Sequence, residues 1–306
     1  MTDSVRQDPA VDSSVRAEKP PADYAGVRTL AMSILLVVLI VLLWEGLKAF
    51  SRANGYAITV GGATISLTLF NDTQLPHLGD ILASFAEPAQ RNGSPLAQVL
   101  LSASLATFGR AISGFFLGGL LGFVLAILFT HSSLMQRGLL PYVVASQTVP
   151  ILAIAPMVVV WMRQANMSNL AVPVIAAYLT FFPVTIYTLR GLTSVPATSL
   201  ELMRSYAATP LQVLWKLRLP NALPHIFTAL KISATASVVG AVIGELPSGM
   251  QDGLGGAILN FNQYYTQSPP RLWATIVAAA VVGILFFTVI AVAERLLVRW
   301  SAQPAE

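Results

Sequence analysis

The sequence has no cysteine and very little charge. Of its 306 residues, 10% are charged and 55% are hydrophobic, and the mean hydropathy is +0.68. Without cysteine the chain has no disulfide, no thiolate metal ligand and no cysteine nucleophile, and its three histidines lie far apart in sequence. Because soluble domains carry about 25% charged residues, the composition excludes a water-soluble globular fold. It indicates a protein that crosses a lipid bilayer several times.

The motifs of soluble enzymes are missing as well. The sequence contains no G-x-x-x-x-G-K-[ST] phosphate loop, no H-E-x-x-H helix and no G-x-S-x-G elbow. We therefore predict no metal site and no catalytic residues, and we do not expect an enzyme. The 18 basic and 14 acidic residues are spread along the chain instead of forming one basic stripe, which argues against nucleic-acid binding.

Long apolar runs predict an all-α integral membrane protein. A helix needs about 20 mostly apolar residues to cross the hydrocarbon core, and six segments satisfy this requirement. We place the six spans at 28–50, 108–130, 138–162, 168–189, 225–246 and 272–294. The remaining organisation is a polar, disordered tail at 1–27, a polar segment at 51–100, and a five-helix core at 101–297.

The lysines and arginines predict the orientation, because they concentrate on the cytoplasmic side of membrane proteins. With an inside amino terminus, the 18 basic residues divide into 12 on inner segments and 6 on outer segments. We therefore expect both termini in the cytoplasm and residues 51–100 outside the cell. The longest inner connection is then 190–224, which is long enough to dock a partner protein.

Glycine and proline interrupt the apolar spans. Gly114, Gly118 and Gly122 place a smooth stripe on one face of the second span, which favours close packing of a neighbouring helix. The prolines of the third span, Pro150 among them, predict kinks. Kinked helices surround the pathway of many transporters, although prolines also occur in ordinary spans.

Three polar residues are candidates for a translocation path. Gln147 and Thr148 lie beside Pro150 in an otherwise apolar span, so they face either a path or a partner helix. Glu245 ends the fifth span, where it either lines the outer mouth of the path or caps the turn that follows. The residues alone leave both pairs of alternatives open.

The inner connection predicts two short helices joined by a turn. The first covers about 199–206, and the turn falls at Ala207 and Ala208. The second begins after Thr209, a good N-cap, and stops before Pro220. The two helices form a compact knob on the inner surface.

The spacing of this knob resembles the shared loop of the permease subunits of bacterial ABC importers. That loop reads E-A-A, three residues, G, nine residues, I, one residue and L-P. Glu201 matches the glutamate, Leu217 stands for the isoleucine, and Leu219 and Pro220 match the closing pair. The two alanines are replaced by L-M and the glycine by Ala207, which tolerates a left-handed turn less well.

Other runs, including LRLPNALPHIFTALKIS and TVPILAIAPMVVVWM, are similar to the nitrate/sulfonate/taurine branch of these permeases. The resemblance implies a type I ABC importer permease core, with kinked helices and a cytoplasmic coupling helix, in a bacterial inner membrane. It also implies an ABC ATPase dimer that carries the ATP and magnesium, an extracytoplasmic substrate-binding protein, and a second permease subunit in a homodimer or pseudo-dimer. No cofactor is expected in this chain. The residues to which the resemblance assigns ATPase coupling are Glu201, Ala207, Ala208, Leu217, Leu219 and Pro220.

We therefore expect the permease subunit of an ATP-driven, binding-protein-dependent importer of a small polar solute. Between Ala111 and Arg190 no basic residue lies in mid-membrane, and Glu245 would repel an anion. The run GELPSGMQDGLGG also resembles members linked to pyrimidine-like compounds. A pyrimidine-like heterocycle is thus favoured over nitrate, taurine or another sulfonate.

Two other functional classes are kept as alternatives. An ion-coupled secondary transporter would need ionisable residues inside its spans, and the middle of these spans is nearly empty of them. A membrane scaffold would need no kinked, glycine-rich core.

Overall fold

Long apolar helices form nearly all of the structure, a computed structural model that describes residues 23–60, 63–90 and 93–298. The helices are α1 (Asp23–Ala53), α2 (Leu78–Ser84), α3 (Leu96–His131), α4 (Ser133–Ser146), α5 (Ile151–Gln164), α6 (Ala171–Thr193), α7 (Ala197–Ser205), α8 (Pro210–Val213), α9 (Leu219–Ser248), α10 (Leu254–Gln263) and α11 (Pro269–Leu297). Two strands, β1 (Ala57–Val60) and β2 (Ala63–Ser66), pair antiparallel. The short turns are 3₁₀ helices at Thr68–Phe70 and Ser168–Leu170, and a π-helix at Leu214–Arg218.

The chain divides into two units after Leu75. In the first unit, the apolar side chains of α1 are exposed along most of the helix, as a helix surrounded by lipid requires. Near its end, Ser51 Oγ donates a hydrogen bond to the carbonyl of Leu67 at 3.0 Å. Lys48 Nζ also lies 2.9 Å from Asp72 Oδ1. These two contacts connect α1 to the residues that follow the strands.

In the second unit, α6 packs between α3 and α9. Two buried hydroxyl groups on α6 are satisfied within the helix, since Thr180 Oγ1 donates to the Ala176 carbonyl at 2.9 Å and Thr185 Oγ1 to the Phe181 carbonyl at 2.7 Å. Ser233 Oγ of α9 donates to the carbonyl of Thr180 at 3.2 Å. On the other side of α3, the ring of Phe286 from α11 lies 5.0 Å from the ring of Phe115. The core therefore consists of small, internally bonded residues around α6 and aromatic rings between α3 and α11.

The predicted glycine stripe is confirmed as a packing face. A Cβ atom added at Gly114, Gly118 or Gly122 would lie 2.4 to 2.5 Å from its nearest atom on α6, and at Gly118 that atom is the carbonyl oxygen of Ala177. Gly119, on another face of α3, has no such atom within 4 Å. The backbones of α3 and α6 therefore approach so closely that only glycine fits between them.

The third predicted span is a bent pair of helices. Five helices are long and apolar enough to cross a bilayer within the described ranges, and α4 with α5 qualifies only as a pair bent by 99°. The break falls before Pro150, which has an extended backbone with ψ 115° and no amide proton to continue the helix. The six predicted spans correspond to five helices and this bent pair.

Several predicted boundaries move. The first helix begins at Asp23, inside the predicted tail, and residues 1–22 of that tail lie outside the described residues. The segment predicted at 51–100 contains the two strands, α2 and the start of α3. The second unit begins at Pro76 and not at 101, because Ile81 and Ala89 are buried in its apolar core.

The contact between α3 and α6 predicts a sharp difference between two adjacent glycines. Gly118→Ala should lower the stability of the purified protein by about 1–3 kcal/mol, the usual effect of forcing extra atoms into a packed interface. Gly119→Ala is the matched control and should leave the thermal midpoint unchanged or raise it, because alanine favours helix over glycine. Loss of monodisperse protein on heating in detergent measures both, and equal midpoints would contradict the packing described here.

Candidate functional site

The connection between α6 and α9 contains the two short helices that the sequence predicts. α7 covers Ala197–Ser205, within two residues of its predicted bounds, and α8 begins at Pro210. Thr209 caps α8: its Oγ1 accepts from the amide of Gln212 at 3.3 Å, and Gln212 Oε1 accepts from the amide of Thr209 at 2.9 Å. This capping box fixes the point at which the chain turns back toward α9.

The turn between α7 and α8 places Ala207 in the left-handed region, with φ 50°. The amide of Ala207 donates to the carbonyl of Arg204 at 2.9 Å, and the amide of Ala208 donates to that of Met203 at 3.0 Å. This pair of bonds is a Schellman motif, in which glycine is the usual residue at the left-handed position. The turn has therefore formed with alanine in a conformation that glycine adopts at lower cost.

Pro220 does not end the second helix, contrary to the sequence prediction. The π-helical turn Leu214–Arg218 joins α8 directly to α9, and the amide of Leu219 donates to the carbonyl of Leu214. The wider turn lets the chain pass a residue that has no amide proton. The helix is consequently continuous from Pro210 to Ser248.

Large apolar side chains are exposed on this connection, which we call the knob (residues 197–218). Leu202, Tyr206, Leu211 and Trp215 are 57%, 77%, 64% and 60% exposed. A cluster of exposed apolar side chains on a polar connection is typical of a protein-binding surface. Of the residues predicted for coupling, Glu201 and Ala207 are exposed, while Ala208, Leu217, Leu219 and Pro220 are half-buried.

The two ends of the knob are held together at its base. Asn221 Nδ2 donates to Ser194 Oγ at 3.0 Å, which joins the start of α9 to the end of α6. A Cβ atom at Gly191 would lie 2.8 Å from the Cβ of His225 and 3.0 Å from Ala222. The end of α6 and the start of α9 are therefore in direct contact at the base of the knob.

Gln147 and Thr148 lie at the break between α4 and α5, and both are exposed. Thr148 Oγ1 donates to the carbonyl of Ala145 at 2.7 Å. The hydroxyl of Tyr178 on α6 donates to the carbonyl of Ser146, one of the groups released by the break. The broken helix is thus supported from α6, and the role of Gln147 and Thr148 in a path stays a prediction.

Glu245 lies inside the protein and not on a water-filled surface, which corrects its predicted position at the mouth of a path. Its side chain has no exposed surface, and Arg110 Nη1 on α3 donates to its Oε1 at 2.6 Å. Thr107 Oγ1 lies 3.0 Å from both carboxylate oxygens, and the amide of Gly255 donates to Oε2 at 2.9 Å. The carboxylate therefore caps α10, the second alternative that the sequence leaves open.

Glycines close around this carboxylate. A Cβ atom at Gly253 would lie 2.3 Å from Glu245 Oε1, and one at Gly255 would lie 2.6 Å from the Cβ of Glu245. The amide of Leu254 also donates to Thr107 Oγ1 at 2.8 Å. Gly253 and Gly255 are needed here because the backbone at the start of α10 contacts the side chain of Glu245 directly. Within 23–60, 63–90 and 93–298, no group of three or more histidine or acidic side chains is arranged to hold a metal ion.

Asp252 forms the exposed arm of the same network. Arg110 Nη2 donates to Asp252 Oδ2 at 2.6 Å, and the aspartate is 66% exposed. This hydrogen bond lowers the pKa of Asp252 below its ordinary value. A carboxyl group whose pKa falls on folding adds stability above its unfolded pKa and loses that contribution as the pH falls through the folded pKa. The ion pair between Arg110 and Asp252 is therefore fully formed at neutral pH.

Sequence reasoning missed Arg110 as the partner of Glu245. The two residues are 135 positions apart, and no local pattern connects them. One signal was available in the sequence. Each residue is ionisable and lies at the end of an apolar span, where an unpaired charge is costly and such groups usually pair with each other.

A family profile described as the inner membrane component of binding-protein-dependent transport systems matches residues 118–302. The formylaminopyrimidine transport permease of Halalkalibacterium halodurans is 34% identical over 195 residues, 64% of this chain and 76% of that protein. The riboflavin transport permease of Chloroflexus aurantiacus is 30% identical over 223 residues, 72% and 81% of the two chains. A Bacillus subtilis protein named for aliphatic sulfonates transport is 32% identical over 191 residues, 62% and 67%.

The buried network predicts a severe effect of removing one charge. Arg110→Gln should lower stability by about 3–5 kcal/mol, because it leaves the carboxylate of Glu245 buried without a counter-charge. The double variant Arg110→Gln with Glu245→Gln should recover part of this loss, and Asp252→Asn, on the exposed arm, should have a much smaller effect. Chemical denaturation in detergent measures all three. A double variant no more stable than Arg110→Gln alone would contradict the pairing.

Proposed function

The chain belongs to the family of binding-protein-dependent transport system inner membrane components, and we propose that it carries a small polar heterocycle of the pyrimidine type. It is the transmembrane permease subunit of an ABC importer and not an enzyme, as the names of its relatives indicate. Importers of this family work with an ATPase, a substrate-binding protein and permease subunits.

The similarity to the formylaminopyrimidine permease is the observation that carries the cargo proposal. The relative named for riboflavin also handles a nitrogen heterocycle, so two relatives of at least 30% identity share this chemical class. Among the residues from Ala111 to Arg190 the basic side chains are Arg137, Arg163 and Arg190, all near helix ends. This distribution supports a neutral or weakly charged cargo.

The electrostatic argument from Glu245 no longer supports this choice. The carboxylate is neutralised by Arg110 and closed off from water, so it does not repel an anion. The alternative cargo, nitrate, taurine or another sulfonate, is supported by the similarity to the relative named for sulfonates.

We propose that two copies of this chain assemble with a dimer of ATPase chains that hold the ATP and magnesium. The exposed apolar side chains of the knob support docking of an ATPase, because water-facing apolar clusters usually mark protein interfaces. The excess of basic residues on one side supports an inner-membrane orientation with both termini and the knob in the cytoplasm. In this orientation the binding protein meets the opposite side, near α10.

Coupling through the knob is tested by two disruptive variants and one conservative variant. Glu201→Arg reverses an exposed charge and Ala207→Trp places a large ring in the turn, so both should abolish uptake and ATPase co-purification while the permease still inserts. Ala207→Gly should retain both activities, because glycine adopts φ 50° without strain. Normal uptake by Glu201→Arg and Ala207→Trp would overturn the coupling role.

The cargo is tested by uptake in cells that carry the complete transporter. Labelled formylaminopyrimidine should accumulate in these cells. An excess of unlabelled pyrimidine should reduce this uptake, whereas the same concentration of taurine should not. The control is a strain whose permease carries Ala207→Trp, which separates transporter-dependent uptake from background. Preferential uptake of taurine or nitrate would replace the proposed cargo with the alternative.

A further inference from the structure

A polar cleft lies where the start of α3 meets α10. Its first part has a volume of about 380 Å³, within the range of small-molecule sites. A second part of about 440 Å³ adjoins it and shares Gln90, Asn260 and Phe261 with the first. We call the two parts together the polar trough. Its main polar side chains are Gln90, Ser94, Gln251, Asp252, Asn260 and Arg271.

The amides and the hydroxyl of the trough have unused hydrogen-bonding capacity. Among the described residues, the side chains of Gln90, Ser94, Gln251 and Asn260 make no hydrogen bond with another protein group. Each carboxamide offers two N–H donors and one carbonyl acceptor. The walls of the trough are therefore able to donate to and accept from the same ligand.

Two charged side chains of opposite sign line the described part of the trough, one in each part. Asp252 lines the first part, and its charge is compensated by Arg110. Arg271 lines the second part, donates from Nη1 to the carbonyl of Ala89 at 3.3 Å, and has no ion pair within the described part of the chain. A ligand in the trough thus meets an acceptor in one part and a cationic donor in the other.

The walls are held in place before any ligand arrives. The amide of Ala89 donates to the carbonyl of Ser94 at 2.9 Å, and the amide of Leu96 donates to that of Glu87 at 2.7 Å. On the opposite wall, Asp252 is attached to the buried network through Arg110. A preformed site loses less conformational entropy when it binds.

We infer that the polar trough is a binding subsite for the cargo, specifically for a flat heterocycle with adjacent N–H and C=O groups. Such a molecule matches the donors and acceptors of Gln90, Gln251 and Asn260, with the ring of Phe261 as an apolar surface. A compact anion would find one favourable partner, Arg271, and an acidic wall at Asp252. The inference rests on the proposed function, since it assigns the cargo of that importer to these residues.

Two asparagines of α10 provide a matched test. Asn260 lines the trough, whereas Asn262 is exposed on the same helix and does not. Asn260→Leu removes both donor and acceptor and should weaken binding of labelled formylaminopyrimidine by about tenfold. Asn262→Leu should leave it unchanged. Equilibrium binding to the permease–ATPase assembly in lipid nanodiscs, without the binding protein, measures the affinity.

A second variant guards against a local folding defect. Gln90→Leu lies on the opposite wall and should also weaken binding about tenfold, with the elution profile of the assembly unchanged. No saturable binding by the unchanged assembly, or equal affinities for Asn260→Leu and Asn262→Leu, would overturn the subsite. Uptake of formylaminopyrimidine by cells with the unchanged transporter distinguishes failure of the subsite from failure of the proposed cargo. If uptake occurs and the variants bind alike, only the subsite is wrong, whereas absence of uptake overturns the proposed cargo.

Discussion

A carboxylate without exposed surface, inside a bundle of apolar helices, must find its counter-charge and hydrogen bonds within the protein. Glu245 meets this requirement with Arg110 and Thr107 from α3 and with the amide of Gly255 at the start of α10. Because the partners come from α3 and from the start of α10, satisfying this one side chain of α9 fixes the relative position of three helices. The glycines beside the carboxylate follow from the same constraint, since a side chain at Gly253 would occupy its position.

The continuity of α9 links this network to the knob. From Pro210 to Ser248 the helix has no interruption apart from the π-helical turn, and at 1.5 Å per residue the distance from α8 to Glu245 is roughly 50 Å. About midway between the knob and Glu245, Lys231 of α9 pairs with Glu294 of α11 at 2.7 Å. Two ion pairs therefore hold α9, one at Lys231 and one at Glu245. Between them, α9 packs closely against α6 at Gly240.

Local chemistry was predictable from the sequence, whereas pairing over long distances was not. Hydropathy predicted the spans, and the spacing of Gly114, Gly118 and Gly122 predicted a close contact with a neighbouring helix, which is α6. The replacement of glycine by Ala207 marked the strained turn of the knob. The continuation past Pro220 escaped prediction because proline ends a helix only if the turn before it keeps α-helical spacing. The partner of Glu245 escaped because the two charges are far apart in sequence and meet only when α3 and α9 pack.

Pairing of the charges changes how an importer of this kind would select its cargo. A free carboxylate near the trough would repel anions at a distance, but Glu245 is neutralised inside the protein and Asp252 shares the same guanidinium. The network as a whole consists of two carboxylates and one arginine, with Arg271 across the trough as a further positive charge. Among the described residues, these two negative and two positive charges sum to zero. If the cargo binds in the trough, short-range hydrogen bonds to Gln90, Gln251 and Asn260 would select it, because a solute that lacks the matching donors and acceptors leaves these groups unpaired.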